Sequence, residues 1–327
     1  MCALIQMAGQ TCTVSLPSKA FAQGYARLIG SISAADHAEQ VELDFARLEY
    51  YTPGAIAALL TKARDWKDRG KTVTLTNTDK SEAFWYFRKI EFLKHLGVED
   101  NEPRSHQDEP GFVELIEVSK MTNADVGNAA ARLARCVCPD MDTPDIKKLI
   151  EYATGEIVLN CQQHAHGTGF LCAQYTRTFD LAQLAIGDIG RGILASFRDS
   201  DSPYYKSGMT DLDALHLAMT PGVSCSTHIR HPYHGQVNFG RGLKMLQSIA
   251  MQTYGSMFLA SGRAWSLMDG LRTISGNFPL EGQIPGTLCY VAFKREDIVD
   301  FQAMLDEARL ITDPALNKPD NLDTLFT

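Results

Sequence analysis

Ile186-Gly187-Asp188-Ile189-Gly190-Arg191-Gly192-Ile193 is the stretch on which the reading of this chain turns. The apolar run at 181–186 reads as a strand, and the glycines after Asp188 give the backbone freedom at its end. A carboxylate delivered there, with no side chain on Gly190 or Gly192 to hold a ligand off, suits a hydrogen bond from an amino group. Taken alone, the same pattern fits an ordinary turn after a strand. Two further segments narrow the choice.

Upstream, Thr143-Pro144-Asp145 is a helix start, with a capping hydroxyl and proline at the first helical position. The helix is expected to run to about His164, with Ile146, Ile150, Ile157, Cys161 and Ala165 as its buried stripe. Glu156, Asn160 and His164 recur every four residues on a neighbouring face. A carboxamide and a carboxylate one turn apart suit a hydrated magnesium ion. Asn160 offers a neutral oxygen ligand, and Glu156 can orient or deprotonate a nucleophile. The bland alternative is a solvated helix face.

Downstream, Asn238-Phe239-Gly240-Arg241-Gly242-Leu243 opens a helix through about residue 252. Backbone N–H groups at such a glycine-rich start hold phosphate, aided by the helix dipole. The aperiodic stretch 223–239 before it reads as a lid. Within it His228, His231 and His234 are spaced for zinc or for a polar lid, and Arg230 and Arg241 are candidate phosphate contacts. Gly286-Thr287 opens an apolar strand later on, and 254–259 with 264–268 reads as a hairpin in the same sheet.

In this order the segments resemble the Bergerat-type ATP-binding fold of the GHKL family over about residues 125–295, closest in style to the anti-sigma-factor kinases. The resemblance implies ATP and Mg2+ as cofactors, Glu156 as the catalytic residue and Asn160 as the metal ligand. It further implies nucleotide contacts from Asn160, His164, Asp188, Gly190, Gly192, Gly240, Arg241, Gly242, Leu243 and Thr287. Asp188 would read the adenine amino group, helped by Thr287.

The first hundred residues alternate strands at 11–16, 40–45 and 71–76 with helical stretches at 19–31, 54–69 and 81–96, a pattern for a sheet covered by helices. Val41-Glu42-Leu43-Asp44-Phe45 and Tyr50-Tyr51-Thr52-Pro53-Gly54-Ala55 resemble the STAS domain of anti-sigma-factor antagonists. Thr52 stands at that family's phospho-acceptor position, whereas Tyr51 and Pro53 depart from its pattern. Thr52 is therefore expected to be an exposed helix cap. No dimerisation hairpin with a phospho-accepting histidine precedes the second region, which argues against a sensor kinase.

The expected organisation is α/β: a STAS-like domain at 1–98, an acidic linker at 99–112, a GHKL domain at 113–312 and a polar tail at 313–327. The GHKL domain is expected as a sandwich with a mixed sheet and helices on one face. The two domains are expected to touch across the linker in a nucleotide-dependent way, with Thr52 near the contact. A net charge of −8 leaves no basic field for nucleic acid. No run of about 18 apolar residues suggests a membrane span, and the opening residues do not read as a secretion signal, so a cytoplasmic location is expected. The eight scattered cysteines are expected to be reduced, and Cys136-Val137-Cys138 has no second pair to complete a zinc site.

The function these readings predict is that of a Mg2+-dependent ATP-binding regulatory protein. It would hydrolyse ATP slowly or transfer phosphate to a protein, as a serine/threonine kinase of this type would, and its lid would control binding of a regulatory or STAS-like partner. The alternative is a non-catalytic nucleotide-binding or protein-interaction module. A second copy of the chain, as a homodimer, is a further candidate partner.

Overall fold

The computed structural model describes residues 4–8, 10–100, 113–119, 121–138, 143–165, 167–225 and 242–312. The acidic stretch 101–112, most of the expected lid (226–241) and the tail 313–327 lie outside the described residues.

The N-terminal region contains β1 (Leu4–Ala8), β2 (Thr11–Ser15), β3 (Lys19–Ala20), α1 (Tyr25–Ser33), β4 (Gln40–Asp44), β5 (Tyr50–Tyr51), α2 (Pro53–Asp68), β6 (Thr72–Thr76), α3 (Phe84–Lys89) and α4 (Phe92–Leu96). Its main sheet has the order β1-β2-β4-β6, with β1 antiparallel to β2 and the remaining pairs parallel. Alternation places Cys12, Val14, Val41, Leu43 and Val73 on the buried face. The helix expected at 81–96 is two helices, broken where Glu91 takes φ +61°.

The second region contains β7 (Ile116–Glu117), α5 (Asn123–Val137), α6 (Pro144–Asn160), β8 (Thr168–Thr176), β9 (Leu181–Ile189), α7 (Gly192–Asp199), α8 (Asp211–Ala218), α9 (Gly242–Gln252), β10 (Ser256–Gly262), β11 (Ala264–Asp269), β12 (Arg272–Asn277), β13 (Ile284–Lys294) and α10 (Phe301–Ile311). Its seven-stranded sheet has the order β12-β11-β10-β13-β9-β8-β7. Every pairing is antiparallel, where a mixed sheet was expected. The reason is the position of β13. The long crossover from β9 to β10 returns the chain in the same direction, but β13 fills the slot between them and runs antiparallel to both.

Helices do not cover one face of this sheet alone. Leu184, Ile186, Leu259, Cys289 and Val291 face the core made with α5, α6, α9 and α10, while Ala185, Phe258, Ala260, Leu288 and Tyr290 belong to the core of the N-terminal region. The strands are apolar on both sides because both sides are buried. Helix α2 supplies the second cover, with thirteen of its sixteen residues buried. A helix apolar on nearly every side belongs in an interior. Here it lies between the two sheets.

The contact between the regions is close-packed. Tyr25 meets Phe258 and Tyr290 edge-on at ring-centroid distances of 5.2 and 5.3 Å. A Cβ on Gly187 would lie 2.3 Å from Thr61 Oγ1 of α2, so β9 accepts the helix only because that position is glycine. Thr52 is not an exposed cap. It is buried, its side chain makes no cap hydrogen bond, and its hydroxyl donates to Ala20 O at 2.8 Å and pairs with the Tyr25 hydroxyl. The contact covers it, because the helix it precedes is itself enclosed.

Candidate functional site

Strand β9 sets the site. Its even positions face the α6–α9 layer, so Asp188 continues the row of Leu184 and Ile186 and emerges where that layer opens. Only 2% of Asp188 is exposed, and among the described residues its Oδ1 has no hydrogen-bond partner. Burial pushes its pKa up to about 7, against the backbone N–H groups of Thr287 and Gly190, which favour the ionised form. A buried carboxyl with an unsatisfied oxygen calls for a ligand able to donate a hydrogen bond.

A cleft open to solvent lies beside it. Asp188, Thr287, Gly192, Asn160, Gly242 and Leu243 all line it, so α6, β9, α7, α9 and β13 converge there. Ile157, Ile186, Ile193, Phe197, Val223 and Leu259 give it apolar walls.

Glycines make the convergence feasible. Gly286, at φ +154°, brings β13 so close to β9 that a Cβ would lie 2.2 Å from Asp188 Oδ1 and 2.6 Å from Gly190 N. Gly192, at φ +74°, turns the chain into α7, where Ser261 Oγ accepts from Ile193 N–H at 2.8 Å and donates to Gly286 O at 2.9 Å. Ser261 thus ties three segments of the pocket together. Sequence reading missed it, since a serine ending an apolar strand carries no pattern of its own.

On α6, Asn160 Nδ2 donates to Glu156 O at 2.8 Å, which leaves its oxygen as the group available to the pocket. The helix ends at Asn160 and widens into a π-helical turn over Cys161–Ala165, a departure often found at sites. His164 is within that turn, and its side chain lies outside the described residues. Glu156 is buried but does not line the pocket. Its carboxylate sits over the first residue of α9, so close that a Cβ on Gly242 would lie 1.9 Å from Oε2, and the Tyr152 hydroxyl hydrogen-bonds it. Gly240, Arg241, Arg230 and the three lid histidines lie outside the described residues.

No group of three or more His, Cys, Asp or Glu able to hold a metal occurs among the described residues, and no described helix is long and apolar enough to cross a membrane. Cys136 and Cys138 are buried free thiols, and burial pushes Cys136 up to about 12. Comparisons with protein-family models, curated proteins and solved structures find no match to this chain.

Proposed function

We propose that this chain is an adenine-nucleotide-binding regulatory protein of GHKL type, taking ATP with Mg2+ in the pocket between α6, α9 and β9. The observation that carries the reading is the buried Asp188 carboxyl, with an unsatisfied oxygen, on the lining of a largely apolar pocket. An adenine amino group donating to Asp188 would satisfy it, and Thr287 beside it can hydrogen-bond the same ring edge. The start of α9, at Gly242 and Leu243, supplies helix N-terminal N–H groups on the same pocket for phosphate.

Asn160 is the residue on this pocket that would hold magnesium. A hard cation keeps several waters and takes its remaining ligands from phosphate and a few protein oxygens, and Asn160 offers one such oxygen. When bound, the ion would neutralise phosphate charge. Asn160 would hold and orient it, the apolar walls would exclude water from the base, and Glu156 would be the proton acceptor for an attacking hydroxyl or water.

A specific observation favours the non-catalytic reading as the second choice. Glu156 packs against Gly242 and Tyr152 rather than into the pocket, an arrangement that suits a helix-end carboxylate as well as a base. Turnover of radiolabelled ATP separates the two. Slow phosphate release by the wild type that Glu156→Gln suppresses, with binding kept, supports catalysis; tight binding without release by either protein supports a nucleotide-gated binding module.

A further inference from the structure

Both strands that deliver the Asp188 end of the pocket are held from behind by the N-terminal helices, and one buried ion pair is central to that hold. Lys62 of α2 is 1% exposed, and its ammonium donates to Asp36 Oδ2 at 2.7 Å and to the backbone carbonyl of Gln283 at 3.0 Å. The other Asp36 oxygen accepts from Trp66 Nε1 at 2.7 Å. At the end of α1, Ser33 Oγ donates to Gln283 O and accepts from Gln283 N–H, each at 3.1 Å. Both main-chain polar groups of Gln283 are therefore bound by side chains of the N-terminal region.

Gln283 immediately precedes β13. Three residues on is Gly286, pressed against Asp188, and then Thr287, whose N–H faces the Asp188 carboxylate. The β10–β13 register slips here, from Ser261 opposite Thr287 to Gly262 opposite Ile284. A bulge of this kind re-aims the backbone locally, so its geometry depends on what fixes its two ends. Regular pairing fixes one end; Gln283 is the other. Meanwhile α2 lies directly on Gly187, the residue before Asp188.

A buried ion pair is a poor way to gain stability, because desolvation offsets most of the attraction, and an apolar pair of similar volume would serve packing equally well. Its distinctive property is directional bonding. We infer that Lys62, with Asp36 and Ser33, is a positioning device that fixes the Ile284–Thr287 bulge against Asp188, so that N-terminal packing and the state of the pocket are coupled. Any ligand that orders Asp188 then also tightens the contact between the two regions.

The inference bears on nucleotide binding only through the function proposed above, so its test includes a readout that needs no nucleotide. In the full chain with carboxyl-labelled aspartate, the Asp188 titration is followed by NMR in wild type, Ser33→Ala and the paired Lys62→Met/Asp36→Asn variant, with circular dichroism checking the fold. Loosening the bulge withdraws the Thr287 N–H that favours the carboxylate. The Asp188 midpoint should then rise from about 7 by roughly half a unit or more, about a threefold change in its proton affinity. Weaker binding of MgATP should accompany it. Should the paired variant not fold, Ser33→Ala, which removes only hydroxyl contacts, decides alone. A folded variant with an unmoved midpoint overturns the inference. A moved midpoint in a protein that binds no ATP upholds it and removes the nucleotide reading instead.

Discussion

Asp188 is the buried carboxyl on the pocket. Its carboxyl is proton-bound in the folded protein up to about pH 7, whereas an unfolded aspartate loses its proton near 3.9. Between these values the folded state holds more protons than the unfolded one, so stability is complete below about pH 4 and falls as pH rises to about 7. The loss amounts to up to about 4 kcal/mol. Asp188→Asn removes it, and urea unfolding from pH 4 to 8 should show a flatter dependence for the variant than for the wild type. A donor from a ligand favours the ionised form, so nucleotide affinity should also strengthen as pH rises through 7. At Asn160, truncation to alanine should remove the magnesium-dependent part of ATP affinity, about tenfold or more, and leave metal-free binding alone. Titrations with Mg2+ and with EDTA check this.

Among the elements, α2 is packed directly on β9. Gly187→Val would drive methyl groups into Thr61 and the Ala57 carbonyl, 2.3 and 3.2 Å from the position of a Cβ. The expected cost is about 1–3 kcal/mol, read from the shift in the denaturation midpoint, together with weaker nucleotide binding because Asp188 is the next residue. The site helices and strands other than α7 were legible in the sequence. Helix α6 showed a proline start and an apolar stripe, α9 a glycine-rich start, and β8 and β9 apolar runs around a turn. Helix α5 escaped notice although Thr122 and Asp125 form a capping box, and β12 has an exposed face with no alternation to betray it. The double burial of the large sheet had a signal too. Leu288-Cys289-Tyr290-Val291-Ala292-Phe293 has no polar face to turn to water. What local sequence does not encode is which distant segment covers it, and that choice placed Thr52 and Lys62 inside.

For the molecule as a whole, the shared core implies one cooperative unit rather than two domains on a tether. Tyr50 hydrogen-bonds Thr176 across the contact at 2.8 Å, Gln183 links Thr176 to Tyr290, and the Tyr25 ring fills the space between the layers. Residues 1–98 removed from the rest would uncover apolar faces on both sides of the cut, and exposed patches of that size favour aggregation. Scanning calorimetry of the full chain should therefore give a single transition whose calorimetric and van't Hoff enthalpies agree. Two resolved transitions would mean that the regions fold independently. The most direct measurement of the central claim is a calorimetric titration of ATP with Mg2+ into the full chain at pH 8, for wild type and Asp188→Asn. A nucleotide read by Asp188 should give saturable binding at one site per chain, weakened in the variant by about 1.5–3 kcal/mol through loss of a charge-assisted hydrogen bond. No binding to the wild type, or equal affinity in the two proteins, would contradict that claim.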